Sequence, residues 1–233
     1  MTENNRAVLN RIKGGLIVSC QALKEEPMYG SYLMSRMADA AMRGGAVGIR
    51  ANTIADIIEI KKTVKLPVIG IIKEVYGDCP VYITPTMKEI DMLAECGVDI
   101  IATDATDSGR RPRPDGKTLE VFFEQARKKY PDQLFMADCS GYGEGIHAAR
   151  LGFDLIGTTL RGYTEDTKGV ELPDIDLVER LAGACGKPVI AEGGIWLPDQ
   201  LKASLDAGAW AAVIGGAITR PMDITKRFVS AIQ

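Results

Sequence analysis

The stretch Pro188-Val189-Ile190-Ala191-Glu192-Gly193-Gly194 is an apolar run that stops at a carboxylate and a glycine pair, and after one helix-like segment the form returns in Ala212-Val213-Ile214-Gly215-Gly216. Two buried strands thus each lead straight into two glycines. In a (β/α)8 barrel the loops after the seventh and eighth strands commonly build a phosphate site: glycine lets backbone N–H groups approach the oxygens, and a short helix adds its positive end. This reading gives Gly193, Gly194, Gly215 and Gly216 to oxyanion binding, with Glu192 at the mouth beside them.

Upstream, the same unit recurs. Apolar runs at 16–20, 46–49, 67–72, 98–102, 134–137 and 155–157 finish at Gln21, Arg50, Lys73, Thr103-Asp104, Asp138 and Thr158. Helical spacing separates them, as in the capping box Thr86/Glu89 closed by Gly97, and in segments 117–130, 144–151, 174–185 and 198–207. A polar loop from Thr106 to Asp115 carries three arginines, and a last helix starts near Asp223. Residues 6–13 form a short amphipathic helix, with Val8, Leu9 and Ile12 on one side, placed to plug the bottom of a barrel. Strand followed by helix, eight times and without a break in composition, predicts one domain over 1–233: a (β/α)8 TIM-type barrel with an N-terminal helix covering its bottom. An open doubly wound sheet would carry G-x-G-x-x-G after its first strand, and this chain has none there.

Composition narrows the partners. A formal net charge of -3 over 233 residues provides no basic excess for nucleic acid or a membrane surface, whereas a small anionic ligand needs only a local positive site. The five cysteines are odd in number, scattered and without a CxxC, which indicates neither a disulfide framework nor a zinc clip and suits a reducing cytoplasm. No apolar run reaches the roughly 18 residues of a membrane span, and the N-terminus lacks the layout of a signal peptide. His147, the one histidine, falls within a predicted helix away from every strand end. A histidine-based metal centre is therefore disfavoured and no metal or cofactor is expected, although carboxylates alone leave an oxygen-ligated magnesium site open.

In this architecture catalytic groups come from the C-terminal ends of strands. Strands three and seven lie four apart in a ring of eight, so Lys73 and Glu192 face each other across it. A substrate between them would have one proton-handling group on each side, which suits inversion of a carbon made acidic by a neighbouring carbonyl. A free lysine near pKa ~10.4 is a poor base at neutral pH, so Lys73 must be depressed by burial or by a cation such as Arg50. The same lysine could instead form a Schiff base. Asp138 can hold Lys73, bond a sugar hydroxyl or cap the helix after it, and Arg220, just beyond Gly215-Gly216, can reach a phosphate as a fork donor.

Several blocks carry a likeness: Gly15-Leu16-Ile17-Val18-Ser19-Cys20-Gln21, Ile69-Gly70-Ile71-Ile72-Lys73, Ala137-Asp138-Cys139-Ser140, Ile156-Gly157-Thr158-Thr159-Leu160, Val189-Ile190-Ala191-Glu192-Gly193 and Ala217-Ile218-Thr219-Arg220. Together they resemble the bacterial N-acetylmannosamine-6-phosphate 2-epimerase family over nearly the whole chain. The resemblance implies interconversion of N-acetylmannosamine 6-phosphate and N-acetylglucosamine 6-phosphate in sialic-acid and amino-sugar catabolism. It also implies that Lys73 is the catalytic lysine and Glu192 its acidic partner, with Gln21, Arg50, Asp138 and Arg220 at substrate-contacting positions. Gly194 departs from the family, which often has a basic residue there, so backbone N–H groups and Arg220 are left to hold the phosphate. The implied partners are a phosphorylated amino sugar and, by barrel habit, a second copy of the chain. Two other readings compete: a phospho-sugar lyase or decarboxylase, whose D-x-K-x-x-D spacing meets Ile71 and Tyr76 here, and a barrel that only senses a sugar phosphate.

Overall fold

Eight parallel strands close into a barrel in chain order: β1 (Leu16–Cys20), β2 (Gly48–Asn52), β3 (Val68–Ile71), β4 (Ile100–Asp104), β5 (Leu134–Asp138), β6 (Leu155–Gly157), β7 (Val189–Glu192) and β8 (Ala211–Ile214). The computed structural model describes residues 1–107 and 109–233; Ser108, in the polar loop expected from Thr106 to Asp115, lies outside the described residues. Helices follow the strands on the outside: α1 (Glu3–Ile12) precedes β1, and α2 (Ser31–Arg43), α3 (Ile54–Thr63), α4 (Met87–Cys96), α5 (Leu119–Lys129), α6 (Tyr142–Leu151), α7 (Ile175–Ala184) and α8 (Pro198–Asp206) alternate with the strands. A single turn, α9 (Gly216–Thr219), comes after β8, and α10 (Pro221–Ser230) begins immediately after it, two residues earlier than expected because Pro221 supplies a pre-formed first position.

Local chemistry explains the boundaries. Thr2 accepts the Asn5 N–H and starts α1 at Glu3, ahead of the expected residue 6. The predicted box is present at α4: the Thr86 N–H donates to Glu89 Oε2 at 2.9 Å, and Gly97 closes the helix at φ 70°. Strands β2 and β4 run further than their apolar residues, through Arg50 to Asn52 and through Thr103 to Asp104, because the ladder and not side-chain polarity delimits a strand. Arg50 pairs with Ile69 and Asn52 with Ile71 on β3, and Asp104 pairs with Asp138 on β5.

Two apolar cores result. One lies between the strands and the outer helices, from Val18, Ile49, Ile101, Phe135, Ile156 and Val189 to helix residues such as Ile57, Leu93, Phe122 and Leu181. The other fills the barrel itself with Ile17, Ile69, Ile71, Ile100, Leu134, Met136, Leu155 and Ile190, and α1 adds Val8, Leu9 and Ile12 to this same cluster. The N-terminal helix thus covers one end of the barrel, and Trp210 fastens it by donating Nε1–H to the Leu9 carbonyl at 2.9 Å.

This partition follows the period of two of a strand, whose successive side chains face opposite sides. Ile17, Ile69, Ile71, Met136, Leu155 and Ile190 point inward. By the same parity Ser19, Arg50, Lys73, Asp138, Thr159 and Glu192 continue the inward rows toward the C-terminal end. The polar lining of the barrel mouth is the next layer of the apolar column below it.

Candidate active site

A cleft of ≈ 310 Å³ opens at the C-terminal face, lined among others by Ser19, Gln21, Arg50, Lys73, Tyr82, Thr159, Glu192, Trp196 and Arg220. The two glycine pairs line it as well. Of the ten site residues expected from the sequence, nine therefore meet in one cavity.

Asp138 does not line the cleft. Its carboxylate sits beneath Arg50 in a fork: Nη2 donates to Oδ2 at 2.5 Å and Nη1 to Oδ1 at 3.1 Å, with side chains 1% and 0% exposed. Among the described residues it neither caps α6 nor bonds Lys73: its oxygens are taken by Arg50 and by the Thr159 hydroxyl at 2.6 Å. Arg50 Nη1 also donates to Glu192 Oε2 at 2.9 Å, so one guanidinium on β2 bridges carboxylates from β5 and β7. Asp104, another of the polar strand ends, is not part of the cleft lining either and pairs with Arg111 at 2.8 Å.

Lys73 lies just beyond β3, where an antiparallel bridge to Ile83 folds the following loop back on it. Its N–H donates to Asn52 Oδ1 at 2.9 Å, tying it to the end of β2. Among the described residues no carboxylate is within ion-pair distance of its ammonium, since both nearby ones are engaged by Arg50. Burial first, then the positive charges of Arg50 and Arg220, lower Lys73 from its ordinary value to about 8, with Glu192 and Asp138 opposing. Burial likewise lifts Glu192 to about 6, against the pull of Arg50. The condition set by the sequence for a lysine base is met by the two causes named for it. A depressed amine and an elevated carboxyl that share one cleft are the environment of a proton-transferring pair.

The wall formed by the two glycine pairs is backbone. Gly193 and Gly194 adopt φ 114° and 69°. Neither their N–H groups nor those of Gly216 and Ala217, at the start of α9, find an acceptor among the described residues. A Cβ on Gly194 would stand 2.3 Å from Leu172 Cβ, so a side chain is excluded there by space as well as by φ. Arg220 borders the cleft with Nε 3.3 Å from Glu26 Oε1 and Nη2 donating to the Gln21 carbonyl at 3.4 Å, which leaves Nη1 for a ligand. Gln21 Nε2 donates to Ser19 Oγ at 2.7 Å. His147 meets Glu120 on the outside, and among the described residues no cluster of His, Cys, Asp or Glu is arranged to hold a metal ion.

Sequence reading missed several lining groups: Ser19, Tyr82, Tyr163, Trp196 and Asp223, and above all Thr159. A count of two from Gly157 would have turned Thr159 inward. Gly157 also keeps that spot open, because a Cβ there would come within 2.3 Å of Met136 Cε and 3.0 Å of Thr159 Oγ1.

A family model described as "Putative N-acetylmannosamine-6-phosphate epimerase" matches residues 34–233. Among curated proteins, two named "Putative N-acetylmannosamine-6-phosphate 2-epimerase" are similar: one from Caldanaerobacter subterraneus subsp. tengcongensis, 51% identical over 97% of this chain and 94% of its own, and one from Borrelia garinii subsp. bavariensis, 53% identical over 97% of both. Among solved structures, the N-acetylmannosamine-6-phosphate 2-epimerase from Clostridium perfringens superposes with a TM-score of 0.90 at 50% identity, covering 96% of this chain and 95% of that one. A thiamine phosphate pyrophosphorylase from Pyrococcus furiosus, 17% identical with a TM-score of 0.60, shares the fold alone.

Proposed function

The chain belongs to the N-acetylmannosamine-6-phosphate epimerase family, and from that premise we propose that it interconverts N-acetylmannosamine 6-phosphate and N-acetylglucosamine 6-phosphate by removing and returning the proton at C2. The reaction belongs to amino-sugar metabolism. The observation that carries the proposal is the pair Lys73 and Glu192 in one cleft, each shifted toward neutrality, with unpartnered N–H groups along the same wall.

The mechanism follows from their positions. In the open-chain sugar C2 is next to the aldehyde, so loss of its proton leaves an enolate with the charge on oxygen. One of the two groups takes the proton from one face of C2 and the other delivers one to the opposite face, which inverts the centre. Gln21 lies on the wall where its amide can meet the sugar's polar groups, and Arg50 holds Glu192 in orientation from beneath. The N–H groups of Gly193, Gly194, Gly216 and Ala217, together with Arg220, take the phosphate, and binding at that remote group fixes C2 between the two proton carriers. The geometry at Lys73 disfavours a decarboxylase: the inward residue two before it is Ile71, and the Tyr76 hydroxyl three after it donates to Glu89 at 2.7 Å.

The chain acts as one barrel domain over 1–233, in the cytoplasm, with a second copy of itself as partner. Helix α10 has no buried residue and presents Phe228 and, just beyond its end, Ile232, 74% and 86% exposed, an apolar face suited to such a copy. Among the described residues no helix is long and apolar enough to cross a membrane. The test of function is turnover of N-acetylmannosamine 6-phosphate in heavy water. Deuterium appears at C2 of the glucosamine product and Lys73→Ala abolishes it; epimerised product free of label refutes proton exchange, and no turnover by the parent protein favours a sensing barrel. Light scattering of the parent and of Phe228→Glu tests the dimer.

A further inference from the structure

Thr159 offers a single hydroxyl proton to two carboxylates. Its Oγ1 is 2.6 Å from Asp138 Oδ1 and 3.1 Å from Glu192 Oε2. Arg50 Nη1 spans the same two oxygens, at 3.1 Å and 2.9 Å. Oδ1, Oγ1, Oε2 and Nη1 thus form a closed ring of four contacts. Nη1 carries two hydrogens, one for each carboxylate oxygen, with Met136 Sδ a third and weaker neighbour at 3.9 Å, whereas a threonine hydroxyl carries one hydrogen and fills one of two. The shorter contact, to the aspartate held at two points by Arg50, takes that hydrogen. What Thr159 then turns toward Glu192 is a lone pair.

We propose that Thr159 is the positioning residue that strengthens the hold of Glu192 on a proton: it donates to Asp138 and accepts from Glu192 when that carboxyl is protonated, completing the ring. A hydroxyl donated to ionised Glu192 would act the other way and favour loss of that proton. The proton count and the two distances decide between these arrangements. The charged groups facing Glu192 are Arg50 from β2, Lys73 from beyond β3 and Asp138 from β5. Arg50 and Lys73 both favour ionised Glu192. Among the described residues, the hydroxyl of Thr159 is the one uncharged side-chain group that reaches both carboxylates at hydrogen-bond distance. The adjacent Thr158 acts on the main chain instead: its Oγ1 accepts the Glu192 N–H at 3.0 Å and donates to the Glu192 carbonyl at 2.9 Å, which pins that backbone independently of residue 159.

The proposal rests on the epimerase reading for its use, though not for its test. Thr159→Val keeps shape and removes the hydroxyl, while Thr159→Ser restores it; Thr159→Ala serves if the valine variant does not fold. With 13C-labelled glutamate, and the Glu192 signal assigned by its loss in Glu192→Gln, the carboxyl titration midpoint falls by about one pH unit in Thr159→Val, a tenfold change in proton affinity, and returns in Thr159→Ser. The acid limb of kcat/KM moves down with it. A midpoint that stays put or rises overturns the assignment. Full turnover by Glu192→Gln would instead remove Glu192 from the chemistry while leaving the titration of Thr159→Val to judge this inference alone.

Discussion

Replacing Asp138 by Asn is the sharpest test of how the site is held together. The change preserves shape and deletes one charge beneath Arg50, where the side chains are 1% and 0% exposed and the fork contacts are 2.5 and 3.1 Å. Asparagine offers one acceptor, and its NH2 would face an Arg50 N–H, donor against donor. Removing one partner of a buried ion pair costs about 3–5 kcal/mol. Glu192 stays on Nη1 and covers part of the guanidinium, which places the loss near the lower end, about 3 kcal/mol. In a chain of 233 residues each kcal/mol moves Tm by roughly 2–4 °C, so Asp138→Asn melts about 6–12 °C below the parent. The control is Asp206→Asn, which removes the exposed pair with Lys202 and costs at most about 1 kcal/mol. Calorimetry on the three proteins decides the matter. If Asp138→Asn melts with Asp206→Asn, the buried fork does not carry the strength assigned to it.

Three further outcomes follow from the geometry of the cleft. Plots of kcat/KM against pH are bell-shaped in both directions, with limbs near about 6 and about 8: below the first Glu192 gains a proton, above the second Lys73 loses one, and between them the pair holds the single proton that either direction needs. A profile flat from about pH 5 to 9 contradicts this assignment. Arg220→Ala raises KM about 10- to 100-fold with little change in kcat, because its charge-assisted bond to phosphate is made in ground and transition states alike; a loss confined to kcat would place Arg220 elsewhere. Gly194→Ala forces a Cβ against Leu172 at 2.3 Å and φ 69°, displacing the loop, so calorimetric titration with the substrate phosphate ester shows affinity weakened by about tenfold or more while Lys73 and Glu192 remain in place.

The barrel was legible because its strands are nearly continuous apolar runs with a helical pattern between each pair, and eight such units leave little choice of topology. The same apolarity hid which side of each strand faces inward. Arg50 illustrates the consequence: it reads as the residue that ends the second strand, yet it is inside β2, with Asn52 beyond it holding the Lys73 N–H. Parity counted from Ile69 places Lys73 inward and parity from Gly157 does the same for Thr159, so both were available to a reading that used the alternation. The fork between Arg50 and Asp138 was not, since 88 residues separate them and only ring closure brings β2 and β5 within reach. Nor was the engagement of Arg220 by Glu26, which depends on the fold of the loop after β1.

Why Lys73 is left without a counterion is then a question about Arg50. The cluster holds two cations, Arg50 and Lys73, and two anions, Asp138 and Glu192, so its charge balances with Lys73 protonated; what differs between arrangements is which cation the carboxylates touch. Arginine wins both because its planar fork meets a carboxylate at two points and Nη1 has a second hydrogen for Glu192, whereas an ammonium offers only a point charge. The lysine is thereby kept beside carboxylates it does not pair with and near a cation that repels its charge, and its proton becomes mobile at neutral pH. Arg50→Met removes the repulsion and frees both carboxylates toward Lys73. Both effects have the same sign, so the alkaline limb moves up from about 8 toward the ordinary lysine value. An alkaline limb left where it was would mean that burial alone depresses Lys73, and that the position of Arg50 beneath Glu192 serves orientation and nothing else.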